Sequence, residues 1–164
     1  MSEAVDIFHV LKDLDIPYEK QEHKAIFSEE DSKDVVITLK GTDVKNLFVK
    51  DKNKNYGLVS MDLHKRADLK KIAEQFGFAR LSFCNPDELK QYLNITPGSV
   101  TPLCIMFDTE RKVKILYDQN FEGKKVIIHP LRNTASISIS FEDLKRFTEH
   151  FGHTWQLGDV YKND

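Results

Sequence analysis

Apolar residues at the start of the chain recur at helical spacing. Ala4, Phe8 and Leu11, with Ile7 and Leu14 alongside, predict a helix over about residues 3–14. IPYEKQEH alternates and reads as a strand. Ser28 opens a second helix: Glu29, Glu30 and Asp31 fill its first turn, and Ser28 and Asp31 have capping-box spacing. VKNLFVKD and YGLVSM, separated by the polar DKNKN, predict a strand–loop–strand hairpin. RADLKKIAEQFG reads as a helix stopped by Gly77 in a left-handed conformation. ARLSFC reads as a strand, and NPDELKQYLN as a short helix with Asn85 as cap and Pro86 in its first turn. VTPLCIMF, KVKILYD and KKVIIHP read as strands, the first two joined by the turn DTER. TASISIS alternates and leads into a last helix, SFEDLKRFTEHFG, with Ser140 and Asp143 at capping-box spacing and Gly152 at its end.

Helices and strands are interleaved, but hairpins are frequent. That pattern disfavours a doubly wound parallel sheet and favours an α+β fold with a mixed sheet. The 164 residues contain no repeat, low-complexity segment or linker, so residues 1–164 are expected to form a single domain. In the hairpin's first strand, Val44, Asn46 and Phe48 face one way and Lys45, Leu47 and Val49 the other. Both faces carry apolar residues, so this strand is expected at the centre of the sheet.

No apolar run approaches the roughly 20 residues needed to span a bilayer, and the N-terminus lacks the basic start and apolar stretch of a signal peptide. The expectation is a cytoplasmic protein without membrane contact. Cys84 and Cys104 form no C-x-x-C and are read as core thiols, so neither a disulfide scaffold nor a cysteine-ligated zinc is expected. A net charge of −2 and a pI of about 6.3 argue against a protein that coats nucleic acid, and no helix-turn-helix pair suggests DNA binding. The charge is uneven, however. Lys45 to Lys71 holds eight Lys or Arg against three Asp. Such a run is either a solvated face or a docking patch for a polyanion.

The chain has no G-x-G-x-x-G, P-loop, H-E-x-x-H or G-x-S-x-G. Three strand-end segments carry its candidate chemistry. The first is Lys45 and Asn46, an ammonium and an amide against an apolar run; the commoner arrangement there is a snorkelling lysine and a turn asparagine. The second is NITPGSVTP, where Pro97 and Gly98 form a turn and Ser99 and Val100 present backbone N–H groups that can serve an oxyanion or a ribose hydroxyl; its plain reading is a tight strand entry. The third is IIHPLRNTAS, where His129 ends a strand and Asn133 and Thr134 follow; a lone histidine is more often structural. Together they offer donors for positioning a polar substrate, with no carboxylate dyad and no metal cluster.

VKNLFVKDK, LNITPGSVTPL and IIHPLRNTAS, in this order and at these distances, resemble the YbaK/ProX group of free-standing prolyl-tRNA editing proteins, and within it the Ala-tRNA(Pro) deacylases (ProXp-ala or PrdX-like). The likeness runs from YEKQEHKAIFS to DLKRFTEHFGH. It implies a mixed sheet, partly curled into a barrel and surrounded by helices. It implies hydrolysis of the ester of mischarged tRNA(Pro), chiefly Ala-tRNA(Pro), without a cofactor or metal. Lys45 matches the lysine that contacts the 3′-terminal nucleotide, Asn46 its neighbour in the pocket network, and His129 the histidine opposite. Asn46 and His129 would then fix the α-amino end and the ester. Gly98, Ser99 and Val100 match the loop lining the aminoacyl pocket, with Thr101 and Asn133 beside it. The chain departs from the family around Ile26, Phe27 and Thr42: it reads KGTDVKN and HKAIFS where relatives often carry a Pro-Gly before the Lys-Asn and HPPVFT. Lys50, Lys65, Arg66 and Lys70 are expected to contact the tRNA acceptor stem, and the protein is expected to be a monomer. Two rivals stand beside this reading: editing of a Cys-, Ser- or Thr-type misacylated tRNA, and a non-catalytic module that senses an aminoacyl-tRNA or a metabolite.

Overall fold

The computed structural model describes residues 6–26 and 29–162. In chain order the elements are α1 (Ile7–Asp13), β1 (Glu19–Glu22), α2 (Glu29–Ser32), β2 (Thr42–Lys50), β3 (Tyr56–Asp62), α3 (Leu69–Phe76), β4 (Ser82–Phe83) and α4 (Pro86–Leu93). A 3-10 helix over Pro102–Phe107 precedes β5 (Val113–Asp118), β6 (Lys125–Ile128), β7 (Ala135–Ser140), α5 (Phe141–His150) and β8 (Trp155–Gly158). The strands form one mixed sheet in the order β1-β7-β6-β2-β3-β5-β8, with β4 on β2, as the α+β reading anticipates.

The predicted hairpin is present. β2 and β3 pair antiparallel from Val44↔Asp62 to Lys50↔Tyr56. Its turn is organised by the buried Asp51, whose carboxylate accepts from the amides of Asn53, Asn55 and Ala79 and from the Asn55 side chain. Both sheet faces are covered here. Val44 and Phe48 join the larger core with α4, α5 and the 3-10 helix, while Leu47 and Val49 pack into a second core under α3. Helix ends also follow the sequence signals. Asn85 and Glu88 make a reciprocal capping box on α4, the Ser140 hydroxyl accepts from Asp143 N–H, and Gly77 closes α3 at φ 77°.

Three expectations need correction or lie out of reach, and one strand was unforeseen. VTPLCIMF is no strand. Pro102 lacks the N–H that a ladder needs, and the Thr101 hydroxyl accepts from Leu103 N–H, so Pro102–Phe107 winds into the 3-10 helix. ARLSFC contributes only Ser82 and Phe83 to a strand, because β4 meets just the last two residues of β2. The C-terminal β8 was not anticipated; it runs parallel to β5 from Ile115↔Trp155 to Asp118↔Gly158. Residues 3–5 of the first predicted helix and Ser28 of the second lie outside the described residues; α1 begins at Ile7, with the Asp6 carboxylate accepting from the Phe8 and His9 amides.

β2 is where the sheet parts. Thr42 and Asp43 pair in parallel with Val126 and Ile127 of β6, and that pairing then stops. On the same edge, β4 takes over only at Val49. Residues 44–48 therefore have a strand neighbour on the β3 side alone. Two diverging parallel strands open a crevice at their carboxyl ends, where ligands collect in open α/β sheets as well.

Candidate functional site

The crevice is a cavity of about 520 Å³. Ile26, Lys45, Asn46, Gly98, Val100 and His129 all line it. Three separate stretches of sequence thus converge on one space, as the motifs require. Apolar groups from Val44, Leu63, Ile127 and Ile128 complete much of the wall.

Lys45 stands half-buried on β2, on the same face as Leu47 and Val49. No ion pair or hydrogen bond occupies its ammonium among the described residues, whereas many other lysines of the fold are paired. It is a positive charge at a cavity wall with no neutralising partner among the described residues.

Asn46 is committed to the scaffold. Its Nδ2 donates to the Val100 carbonyl at 3.1 Å, and its Oδ1 accepts from the Ser60 hydroxyl at 2.5 Å. Ser60 lies opposite Asn46 in the β2–β3 register and is itself buried. The amide is a brace that fixes the 98–101 loop against the central hairpin. In that loop Gly98 takes φ 89°, and Ser99 N–H closes a turn onto the Thr96 carbonyl at 3.2 Å. The N–H groups of Gly98 and Val100 have no partner among the described residues. The loop therefore offers two free donors at the cavity, not three.

His129 follows β6, and the lone pair of the Ala135 carbonyl decides its tautomer. A carbonyl only accepts, so Nδ1 carries the proton and donates across 3.1 Å. Nε2 is left as an acceptor. Burial pushes the imidazole pKa below its ordinary value, and the nearby His23 ring adds to this, against the Ala135 hydrogen bond. His23 stands edge-on at 6.4 Å between centroids; it donates from Nδ1 to the Lys24 carbonyl, and its Nε2 accepts from the Ser136 hydroxyl at 2.9 Å. The turn after His129 is pinned by Arg132, which grips Glu22 of β1 through two hydrogen bonds of 2.7 and 2.8 Å and holds that carboxyl down to about 2.

The sign of the His129 shift gives a testable outcome. The folded imidazole takes a proton at lower pH than the unfolded chain does. Its share of stability is present above the ordinary value of about 6.5 and is lost as pH falls through the lowered folded value. An NMR titration of the His129 ring should show a midpoint below about 6.5; a midpoint at or above that value would contradict the burial described.

Not every expected residue reaches the cavity. The Ser99 side chain is buried behind the loop. Thr101 is fully buried and caps the 3-10 helix. Asn133 donates from Nδ2 to the Ile26 carbonyl at 3.3 Å and so supports the wall from behind. Thr42 sits in the β2–β6 ladder opposite Val126 and is not part of the lining. Phe27 lies outside the described residues. Lys50 points elsewhere: Glu88 holds its ammonium at 2.8 and 2.9 Å and raises its pKa. Lys65, Arg66 and Lys70 are exposed. Lys65 and Arg66 directly follow Leu63 and His64, two residues of the cavity rim, and their turn is backed by the C-terminal segment through Lys162 N–H donating to the Arg66 carbonyl. Tyr161 holds that segment in place by donating its hydroxyl to Asp118.

Several lining residues escaped sequence reasoning: Asp43, His64, Val35, Ile37 and Ser136; so did two residues behind the wall, His23, which bonds Ser136, and Ser60, which bonds Asn46. Two signals were available. Ser136 is a hydroxyl inside the apolar strand TASISIS, and Asp43 lies two positions before Lys45, on the same face of β2. Among the described residues no three His, Cys, Asp or Glu side chains gather as a metal would require, and no helix is long and apolar enough to cross a membrane.

Comparison with known proteins agrees with this architecture. Residues 23–147 match the model of the aminoacyl-tRNA editing domain. The chain is 33% identical over 148 residues to the prolyl-tRNA editing protein ProX of Acetoanaerobium sticklandii, covering 89% of this chain and 90% of that one. It is 35% identical over 146 residues to the prolyl-tRNA synthetase associated domain-containing protein 1 of Bos taurus, covering 85% of each. The solved structure of a candidate trans-editing enzyme for prolyl tRNA synthetase aligns over 99% of this chain and 100% of its own, with a TM-score of 0.71 at 18% identity, a likeness of fold. With a cavity at the parting of β2 and β6, a family match over most of its length and relatives spanning nearly the whole of it, the chain belongs to the aminoacyl-tRNA editing domain family, in its YbaK/ProX group.

Proposed function

We propose that this protein hydrolyses the ester that joins a wrong amino acid to tRNA(Pro), with alanine as the preferred residue. The observation that carries the reading is the convergence of Lys45, Asn46 and His129 on one cavity with an apolar wall. Its ProX relative is named as a prolyl-tRNA editing protein.

The chemistry suits the groups present. An aminoacyl ester is already activated, so hydrolysis needs a positioned water and a place for the carbonyl oxygen to hold negative charge. Water adds to the carbonyl carbon, and the tetrahedral intermediate then breaks its bond to the ribose oxygen. Alanine leaves as the acid, and the ribose oxygen takes the proton. The Lys45 ammonium anchors the phosphate of the terminal nucleotide as a point charge. Gly98 and Val100 N–H groups face the developing oxyanion. His129 Nε2, unprotonated at neutral pH, accepts from the ribose hydroxyl or the water, and the ribose hydroxyl orients the attack.

The need for a second active site follows from pocket physics. A synthetase pocket shaped for proline cannot exclude alanine by clash, and the lost methylene contacts are worth only about 1–3 kcal/mol, or roughly 10–200-fold. A second cavity that admits a methyl group and clashes with a pyrrolidine ring restores the discrimination. The test is a deacylation panel. Ala-tRNA(Pro) should be hydrolysed faster than the Cys- and Ser-charged forms, and Pro-tRNA(Pro) should persist. Faster turnover of Cys- or Ser-tRNA(Pro) would reassign the specificity within the same chemistry.

Lys65 and Arg66 lie next to the rim residue His64 and give the emerging acceptor stem a cationic path. Reversing both charges should weaken tRNA binding by about tenfold and lower the salt dependence by roughly two counterions. Unchanged affinity in a filter-binding titration would remove these residues from the interface.

A further inference from the structure

We propose that Asp43 receives the α-ammonium of the aminoacyl group and so tells an amino acid from other acyl esters. The inference rests on the reading that the cavity takes an aminoacyl ester, and it moves the α-amino end, expected at Asn46 and His129, to Asp43, because both amide atoms of Asn46 are engaged by Val100 and Ser60.

An aminoacylated 3′-terminal nucleotide carries charge of both signs: phosphate on one side and an α-ammonium on the other. The cavity carries the matching pair. Lys45 is its free cation, and Asp43 is the one carboxylate among its described lining residues. The two are separated by one residue on β2, so their side chains leave the same face of the strand, roughly 7 Å apart along it. They make no ion pair with each other, and the partner of Asp43 is the exposed His64, a pair that is ionic only when that ring carries a second proton. Asp43 is held from outside: its Oδ2 stands 3.4 Å from His64 Nε2, a long contact to another lining residue, and its backbone carbonyl accepts from Leu63 N–H at 2.8 Å. The carboxylate is positioned without being neutralised by a close partner.

His129 Nε2 is the free acceptor that the proposed hydrolysis assigns to the ribose hydroxyl or the water, and four further acceptors nearby are engaged. The Val100 carbonyl accepts from Asn46, the Ala135 carbonyl from His129, and the Ile26 carbonyl from Asn133. Asn46 Oδ1 accepts from Ser60. An ammonium buried without acceptors is costly, and one placed against a carboxylate is held by a charge-assisted hydrogen bond. Asp43 is the site that satisfies it.

The test compares alanyl-tRNA(Pro) with lactyl-tRNA(Pro), in which a hydroxyl replaces the ammonium in nearly the same volume. For each protein the readout is the ratio of kcat/KM for the two esters, each corrected for its spontaneous hydrolysis. Asp43→Asn keeps the shape of the side chain and removes its charge. The expected result is that the alanyl-to-lactyl ratio falls at least about tenfold in the variant. An equal loss on both esters would make Asp43 a structural residue and overturn the inference, and so would an unchanged ratio at wild-type rates. A wild-type protein inactive on both esters would overturn the proposed hydrolysis itself, an outcome separate from either of these.

Discussion

Replacing Lys45 by alanine should lower the deacylation of Ala-tRNA(Pro) by about 10²-fold or more and leave the melting temperature within about 2 °C of wild type. Two unit charges about 4 Å apart interact by about 4 kcal/mol at the effective dielectric of a half-buried site, and the desolvation of both groups reduces that. What remains is still worth two orders of magnitude, since each 1.4 kcal/mol is tenfold. Stability moves little because Lys45 makes no ion pair or hydrogen bond among the described residues that its removal would break. Lys45→Met, which keeps the apolar stem and removes only the charge, should fall as far as the alanine variant. Deacylation within a few-fold of wild type in both would take the lysine out of the mechanism.

The second large effect is expected at Asn46, where activity and stability should fall together. Asn46→Ala removes the acceptor of the buried Ser60 hydroxyl and the donor to the Val100 carbonyl in one change. A buried group left without its partner costs about 1–3 kcal/mol, which chemical denaturation would read directly. The 98–101 loop loses its tie to the hairpin, so the Gly98 and Val100 N–H groups lose their aim. A misplacement of about 1 Å is enough to cost about 10²-fold in rate. Ser60→Ala should be milder, about tenfold, because the link from Asn46 to Val100 survives. An Asn46→Ala protein as stable and active as wild type would mean that the loop is held by something other than this amide.

Comparing sequence with structure shows where local rules suffice. The β2–β3 hairpin, the capping box of Asn85 and Glu88, and the Gly77 stop are short-range features, and each was legible because the residues that decide it are neighbours in sequence. The 3-10 helix was misread because VTPLCIMF is apolar throughout, and a short apolar run does not tell strand from buried helix. Pro102 and the Thr101 cap decided the matter. β8 escaped because its pairing with β5 spans some forty residues and its own burial pattern is weak.

The site divides in the same way. Gly98, Val100 and His129 could be found because each sits in a turn or just past a strand, and Lys45 and Asn46 because an ammonium and an amide stand out against an apolar run, although they lie in the middle of β2 and not at the strand end the sequence suggested. Asp43 and Ser136 were missed because the signal of each is weak alone and they reach the cavity only where β2 and β6 separate. That separation is a property of the sheet and of no single segment. The Lys50–Glu88 pair makes the same point for charge, since a basic run in sequence does not say which cations are already neutralised across the fold.

The most direct test of the account is turnover. Protein at about a tenth of the concentration of Ala-tRNA(Pro) should release many equivalents of free alanine and regenerate intact, rechargeable tRNA(Pro), while Pro-tRNA(Pro) under the same conditions stays charged. Binding of Ala-tRNA(Pro) without release of alanine would contradict catalysis at the cavity and leave a module that recognises the charged end of the tRNA without cutting it.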